Sequence, residues 1–245
     1  GAGTVLAGST NTPDAEVKVF EQAIGVPHFP PPPSAAPDAV VSARHVKVAA
    51  SRSLICAGDP RILPVLAGTG VDAVDGQVTV RSTDRYLLAV TAIPATDCAG
   101  FGLFPLGHGP LRVLAGMPAS GDARFTVRDR RMWIAAGGVE VCTVAGDQDY
   151  PGVEPVIRAL AEKPAVAAVV DAREMSGAVK QLLAAGSRFD RDVVFLLDGD
   201  RVAIGAELSE PVHLAATVSS AGGLTGVALD GEKVLTALSA VAARC

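Results

Sequence analysis

Two Asp-Gly dipeptides, Asp75-Gly76 and Asp198-Gly199, lie roughly 120 residues apart, and Gly109 and Gly231 keep about the same offset. A spacing shared by two unlike landmarks marks a tandem duplication. Each Asp-Gly divides a pair of β-branched runs, and both of its residues tolerate positive φ, so each predicts a hairpin. Around the first, "ILPVLAGTGVDAVDGQVTVRS" reads as two strands, with Val78 and Val80 alternating with Thr79 and Arg81. The segment "STDR" turns the chain, and "YLLAVTAIP" and "FGLFPL" follow as strands. A helix is expected from His108 to Met117, then strands in "ARFTVRD", "RMWIAAG" and "VEVCTVAG", separated by Arg/Asp and Gly/Gly turns. The second copy repeats the order. "AVAAVVDA" leads into a helix over "REMSGAVKQLLAAGSRF", and "DVVFLLDGDRVAIGAEL" forms the hairpin. "PVHLAATVSS" and "TGVALD" are strands, and "GEKVLTALSAV" is a helix. The expected fold class is α+β, two tandem domains, each a sheet with two helices packed on one face.

A chain of 245 residues suits two such domains. We read 46–156 as the first and 157–245 as the second. Residues 1–45 read as an arm or linker, because "HFPPPPSAAPDA" is proline-rich and semi-rigid. Ahead of it, "TPDAEVKVFEQAIGV" predicts a short helix from Thr12 or Asp14 with Val17, Phe20 and Ile24 on one face. Aromatic residues make up only 4% of the chain, so Ala, Val and Leu must build the cores. No uncharged apolar run approaches the ~18–20 residues of a membrane span, and no basic-then-apolar leader is present. Membranes are therefore not an expected partner.

Catalytic chemistry finds little support. Cys56, Cys98, Cys142 and Cys245 are scattered without a C-x-x-C, which argues against a structural zinc and for reduced thiols in a cytoplasmic protein. "GTGVDA" (Gly68–Ala73) has the glycines of a dinucleotide fingerprint but no following helix, so they read as turn glycines. Asp84 is expected to bond its own backbone in a turn. Asp147 and Asp149 resemble a metal pair, but Tyr150-Pro151 and Pro155 mark a connector. His45, His108 and His213 are isolated, with His108 near a helix start. No catalytic residue, metal or cofactor is expected. Basic residues are the better signal. Arg173 and Lys180, seven apart, share a helix face, and Arg188 follows at its end. Lys233 and Arg112 lie near the starts of the two later helices. Within a net charge of −5, these five predict a local face for phosphates rather than a generally basic coat.

The run Leu63–Val90, "LPVLAGTGVDAVDGQVTVRSTDRYLLAV", resembles the strand–strand–"ATDGYRLAV" segment of the bacterial replicative sliding clamp, the β subunit of DNA polymerase III. "DYPGVEP" (Asp149–Pro155) is similar to that family's "FPDY" connector, and Phe101–Met117 to its next strand and helix. The resemblance runs from about residue 46 to the C-terminus, as the middle and third domains of three, with the third lacking its last two strands. It implies a head-to-tail oligomeric ring around double-stranded DNA, bound without regard to sequence. It also implies a pocket between these domains for short peptides of polymerases or repair proteins. Carried over, Thr83, Arg85, Tyr86 and Leu88 line that pocket with Leu66. Leu63 and Leu87 stand where the family typically has Arg, which makes the site more apolar. Two clamp domains per chain could close a six-domain ring as a trimer. The alternative is a clamp-derived regulatory module, for instance in a transcription regulator, that takes another peptide or a small apolar ligand and does not encircle DNA.

Overall fold

A computed structural model of the chain describes residues 6–9, 31, 33–145, 149–162, 167–186, 191–198, 200–206, 210–219 and 226–242. They form two compact units, one ending at Pro151 and the other spanning Gly152–Ala242. The division falls a few residues before the expected 156. The helix expected after Thr12 lies outside the described residues, as does Arg188.

The first unit is one antiparallel nine-stranded sheet. Its strands are β1 (Leu6–Ser9), β2 (Ala39–Ser42), β3 (Thr69–Val74), β4 (Gln77–Thr83) and β5 (Leu88–Cys98). Then come β6 (Phe101–Leu106), β7 (Asp122–Arg128), β8 (Arg131–Ala136) and β9 (Val139–Val144). The spatial order is β1-β9-β8-β7-β2-β5-β4-β3-β6. Helix α1 (Ala43–Cys56) follows β2, and α2 (His108–Gly116) follows β6. The elements β2-α1-β3-β4-β5 and β6-α2-β7-β8-β9 thus repeat one plan. Each half forms its own meander, and each leading strand crosses to the other half, β2 onto β7 and β6 onto β3.

Tight turns set the registers. Asp75-Gly76, Asp129-Arg130 and Gly137-Gly138 all have positive φ at both positions, the geometry whose twist matches a two-residue hairpin. Alternation then fixes the faces. Val71, Ala73, Val78 and Val80 turn inward, where Val46, Leu111, Leu114, Phe125, Met132 and Ile134 complete a core with α1 and α2 packed together over the sheet.

The sequence reading of 1–45 as an arm is corrected in part. Ala39–Ser42 is a strand inside the sheet, bonded to β5 and β7, and Leu6–Ser9 pairs with β9. Asp38 pins the start of β2. Its carboxylate accepts from the Val127 N–H at 2.7 Å and pairs with the Arg128 guanidinium at 2.6 Å, while its carbonyl accepts from Ala99 and Gly100 N–H. Helix α1 escapes hydropathy because its buried face is Ala43, Val46, Ala49, Ala50, Ser53 and Cys56, correctly spaced but mostly small.

The second unit contains α3 (Glu154–Glu162), β10 (Ala167–Val169), α4 (Ala172–Ala185), β11 (Asp192–Asp198) and β12 (Arg201–Gly205). β13 (Val212–Ala215), β14 (Thr217–Ser219), β15 (Gly226–Asp230) and α5 (Gly231–Ala242) follow. The division at Pro151/Gly152 falls within the expected connector, and α3 begins at its end, where Pro155 stands in a first turn that needs no N–H. The order β10-α4-β11-β12-β13/β14-β15-α5 repeats the first unit's plan through α2, as the duplication required. β15 pairs β11 as β6 pairs β3. The long β5 pairs β4 with one half and β2 with the other; in the second unit these halves are β13 on β12 and β14 on β10, broken at Ala216. Helices α4 and α5 pack together over a smaller core of Val179, Leu182, Val193, Phe195, Ile204 and Leu214. No helix among the described residues is long and apolar enough to cross a membrane.

Candidate functional site

Thr83–Leu88 is a turn built on its own side chains. Thr83 and Leu88 are the last paired residues of β4 and β5. The Thr83 hydroxyl accepts from Arg85 N–H (3.0 Å) and donates to the Leu87 carbonyl (2.6 Å). Asp84 Oδ1 accepts from Tyr86 N–H (2.9 Å) and Leu87 N–H (2.7 Å), the backbone role expected of it. These bonds hold Arg85 at φ 83°, in the left-handed region that favours glycine. Arg85 and Tyr86 are exposed, and the guanidinium lies 6.0 Å from the Tyr86 ring centroid.

A contact from far along the chain anchors this turn. Tyr150, in the "DYPG" segment, accepts the Thr83 backbone N–H on its phenol oxygen at 3.0 Å. Its ring lies on Gly70 of β3. A Cβ there would stand 2.8 Å from Tyr150 Cδ1 and 2.9 Å from Leu103 Cδ1, so only glycine leaves room for both side chains. Gly70 is therefore a strand glycine serving a close approach, not the turn glycine of the sequence reading. Burial pushes the Tyr150 phenol up to about 12, the hydrogen bond from Thr83 acting the other way.

The strand ends bring Leu63 and Leu66 to the same end of the sheet, because β3 enters where β4 leaves. Leu66, in a 3-10 turn at Pro64–Leu66, is buried, and Leu63 is half-buried. Both close on Gly58, where a Cβ would lie 3.1 Å from Leu66 Cβ and 3.4 Å from Leu63 Cβ. Leu87 and Leu88 are half-buried beside the turn. The first unit thus gathers Thr83, Arg85, Tyr86, Leu87 and Leu88 in one turn, with Leu63 in the neighbouring loop. Leu66 serves packing. Sequence reasoning missed Gly70, Leu103 and Tyr150, although a tyrosine is conspicuous in a chain with two.

The phosphate-facing candidates divide between the units. Arg112 is exposed on α2. On α4, Arg173 and Lys180 are exposed, and on α5 Lys233 is half-buried. The unexpected helix α1 adds exposed Arg44 and His45 and half-buried Lys47 and Arg52. Neither α1 nor α2 contains an acidic residue. α4 and α5 differ. Asp171 caps α4 by accepting from Arg173 N–H (2.8 Å) and Glu174 N–H (3.0 Å), bonds that lower its carboxyl below the usual value. Asp230 accepts from Lys233 N–H at 3.0 Å, and Glu174 and Glu232 stand in the first turns. His108 opens α2 with Nδ1 3.1 Å from the Ala67 carbonyl, as its place near a helix start suggested. Asp149 is exposed, and Asp147 lies outside the described residues.

Tandem units of paired helices over antiparallel meanders define the fold class of DNA sliding clamps. The DNA polymerase III β subunit of Thermotoga maritima superposes with a TM-score of 0.72 at 14% identity, covering 89% of this chain and 59% of that one. The sliding clamp of Bacillus subtilis gives 0.71 at 13% identity, covering 88% and 58%. The DNA polymerase III subunit β of Pseudomonas aeruginosa gives 0.71 at 14%, covering 90% and 60%. The chain has the sliding-clamp fold and spans about 60% of the length of these proteins. No known family model matches its sequence. No curated protein sequence matches it either.

Proposed function

We propose that the chain is a non-catalytic, clamp-type scaffold that holds double-stranded DNA without reading its sequence, works as a cytoplasmic head-to-tail homo-oligomer, and docks partner peptides at the Thr83–Leu88 turn. The observation that carries this reading is the helix pair α1/α2. It bears Arg44, Lys47, Arg52 and Arg112 and no carboxylate, in a chain whose net charge is −5. Concentrating cations on one helix layer while the rest stays acidic favours phosphate contact there and repels it elsewhere. The exposed turn over Tyr150 supplies the docking surface. Its departure from two arginines to Leu63 and Leu87 makes that surface accept apolar side chains with fewer polar anchors.

Retention on circular against linear duplex DNA tests the reading, using the full chain. A topological ring stays on circles and slides from free ends. Retention on circles that is lost by Arg44→Glu/Arg112→Glu supports it. Equal retention on both forms, or none on either, rejects encirclement.

A further inference from the structure

Arg85 stands out within the docking turn, and the inference about it rests on the docking reading above. Its backbone is held at φ 83°, a conformation glycine adopts freely and an arginine does not. The carboxylates of this turn and of the neighbouring β3 segment have other partners. Asp84 accepts the Tyr86 and Leu87 N–H groups, Asp72 holds Arg81 at 2.7 Å, and Asp59 holds Arg61 at 2.7 Å. Among the described residues no carboxylate bridges Arg85, whose guanidinium rests over the exposed Tyr86 ring. The ground beside it is apolar. Leu88 and Val90 lie opposite Thr83 and Arg81 on the outward face of β4–β5, and Leu103 stands next to the Tyr150 ring. Val90 and Leu103 are exposed.

We propose that Arg85 is a specificity residue that selects partner segments bearing a carboxylate next to apolar side chains, so that the docking surface takes an acidic, extended peptide. A guanidinium that no described carboxylate bridges, beside an apolar face, is complementary to such a segment. A planar guanidinium over an aromatic ring presents its N–H fork to one carboxylate. A phosphodiester would satisfy Arg85 equally well but leave Leu88, Val90 and Leu103 uncovered, and this decides for peptide over nucleic acid.

The test is a peptide array in which permuted Leu/Val/Phe triplets carry Asp, Asn or Lys at the flanking positions, probed with the full chain. Wild type should prefer Asp to Asn by about fivefold, the upper range for an exposed ion pair. Arg85→Gly should abolish the preference for Asp over Asn, Arg85→Lys should keep part of it, and Arg85→Glu should turn it towards Lys. Thermal melting of Arg85→Gly at or above the wild-type temperature establishes that the loss is not unfolding. Apolar peptides bound with equal preference for Asp and Asn overturn the role of Arg85 alone. A drop in duplex DNA affinity in Arg85→Gly with peptide preference intact makes Arg85 a phosphate contact and overturns it too. Wild-type protein binding no peptide overturns both this inference and the docking reading beneath it.

Discussion

Leu106 of the first unit and Leu229 of the second hold equivalent places, each on the strand that pairs back onto its hairpin. Leu106 is 2% exposed and Leu229 is 44% exposed; Phe104 and Val227, one pleat away, are 4% and 43%. The strands and helices beneath them follow the same plan. What differs is the meander β7–β9, which supplies Phe125, Met132, Ile134 and Val141 to the first core. Among the described residues of the second unit no strand follows α5. Among the described residues, then, the depth of the core follows the β7–β9 meander, which closes the first unit's core. The outer faces contrast as well. Gly70 lies beneath Tyr150, while Val194, at the matching register of β11, is exposed.

The two leucines should show the largest difference between the units. Leu106→Ala should cost ~2–5 kcal/mol, as buried leucines do, and Leu229→Ala about 1 kcal/mol or less. Urea unfolding of each variant measures both, and equal costs would mean that Leu229 is covered in solution. Gly70→Ala comes next. The added methyl must displace Tyr150 or Leu103, for a loss of ~1–3 kcal/mol, accompanied by quenched peptide docking; Val194→Ala should change neither.

The helix layers give a smaller effect. Arg44→Glu/Arg112→Glu should flatten the dependence of log affinity for duplex DNA on log salt by about 0.9 per lost phosphate contact. Arg173→Glu/Lys180→Glu should flatten it less, because Asp171, Glu174, Asp230 and Glu232 already oppose phosphate on α4 and α5. Anisotropy titrations between 50 and 200 mM salt, a range in which such contacts are lost, would reverse this ranking if the second unit carried the contact.

The smallest effect is a pH dependence confined to the first unit. Tyr150 ionises at about 12 when folded, above its ordinary 10. A raised folded value means its contribution is intact below pH 10 and is lost as pH climbs through about 12. Denaturation midpoints across that window should fall in wild type and fall less in Tyr150→Phe. An identical slope in both would place the loss elsewhere.

Much of this architecture was legible in the chain because its signals are local. Asp75-Gly76 and Gly137-Gly138 announce hairpins by the backbone they permit, and Val78 and Val80 name their own face by alternation. The shared offset exposed the duplication without any knowledge of packing. Helix α1 was not legible, since Ala, Ser and Cys bury well on a helix while giving little hydropathic contrast. The proline-rich stretch before it also concealed β2, a four-residue strand that is stable only between β5 and β7.

Within the candidate site the same division holds. Thr83 and Asp84 turn the chain on local chemistry legible in the residues alone, because their side chains bond to amides two or three residues away. That Tyr150, 67 residues beyond Thr83, anchors that turn, and that Gly70 must lack a side chain to admit it, follows from packing across the sheet. So does the choice of which leucines remain in solvent. A hydrogen bond to a near neighbour is written in the order of residues, whereas burial depends on which distant strand arrives to cover a face.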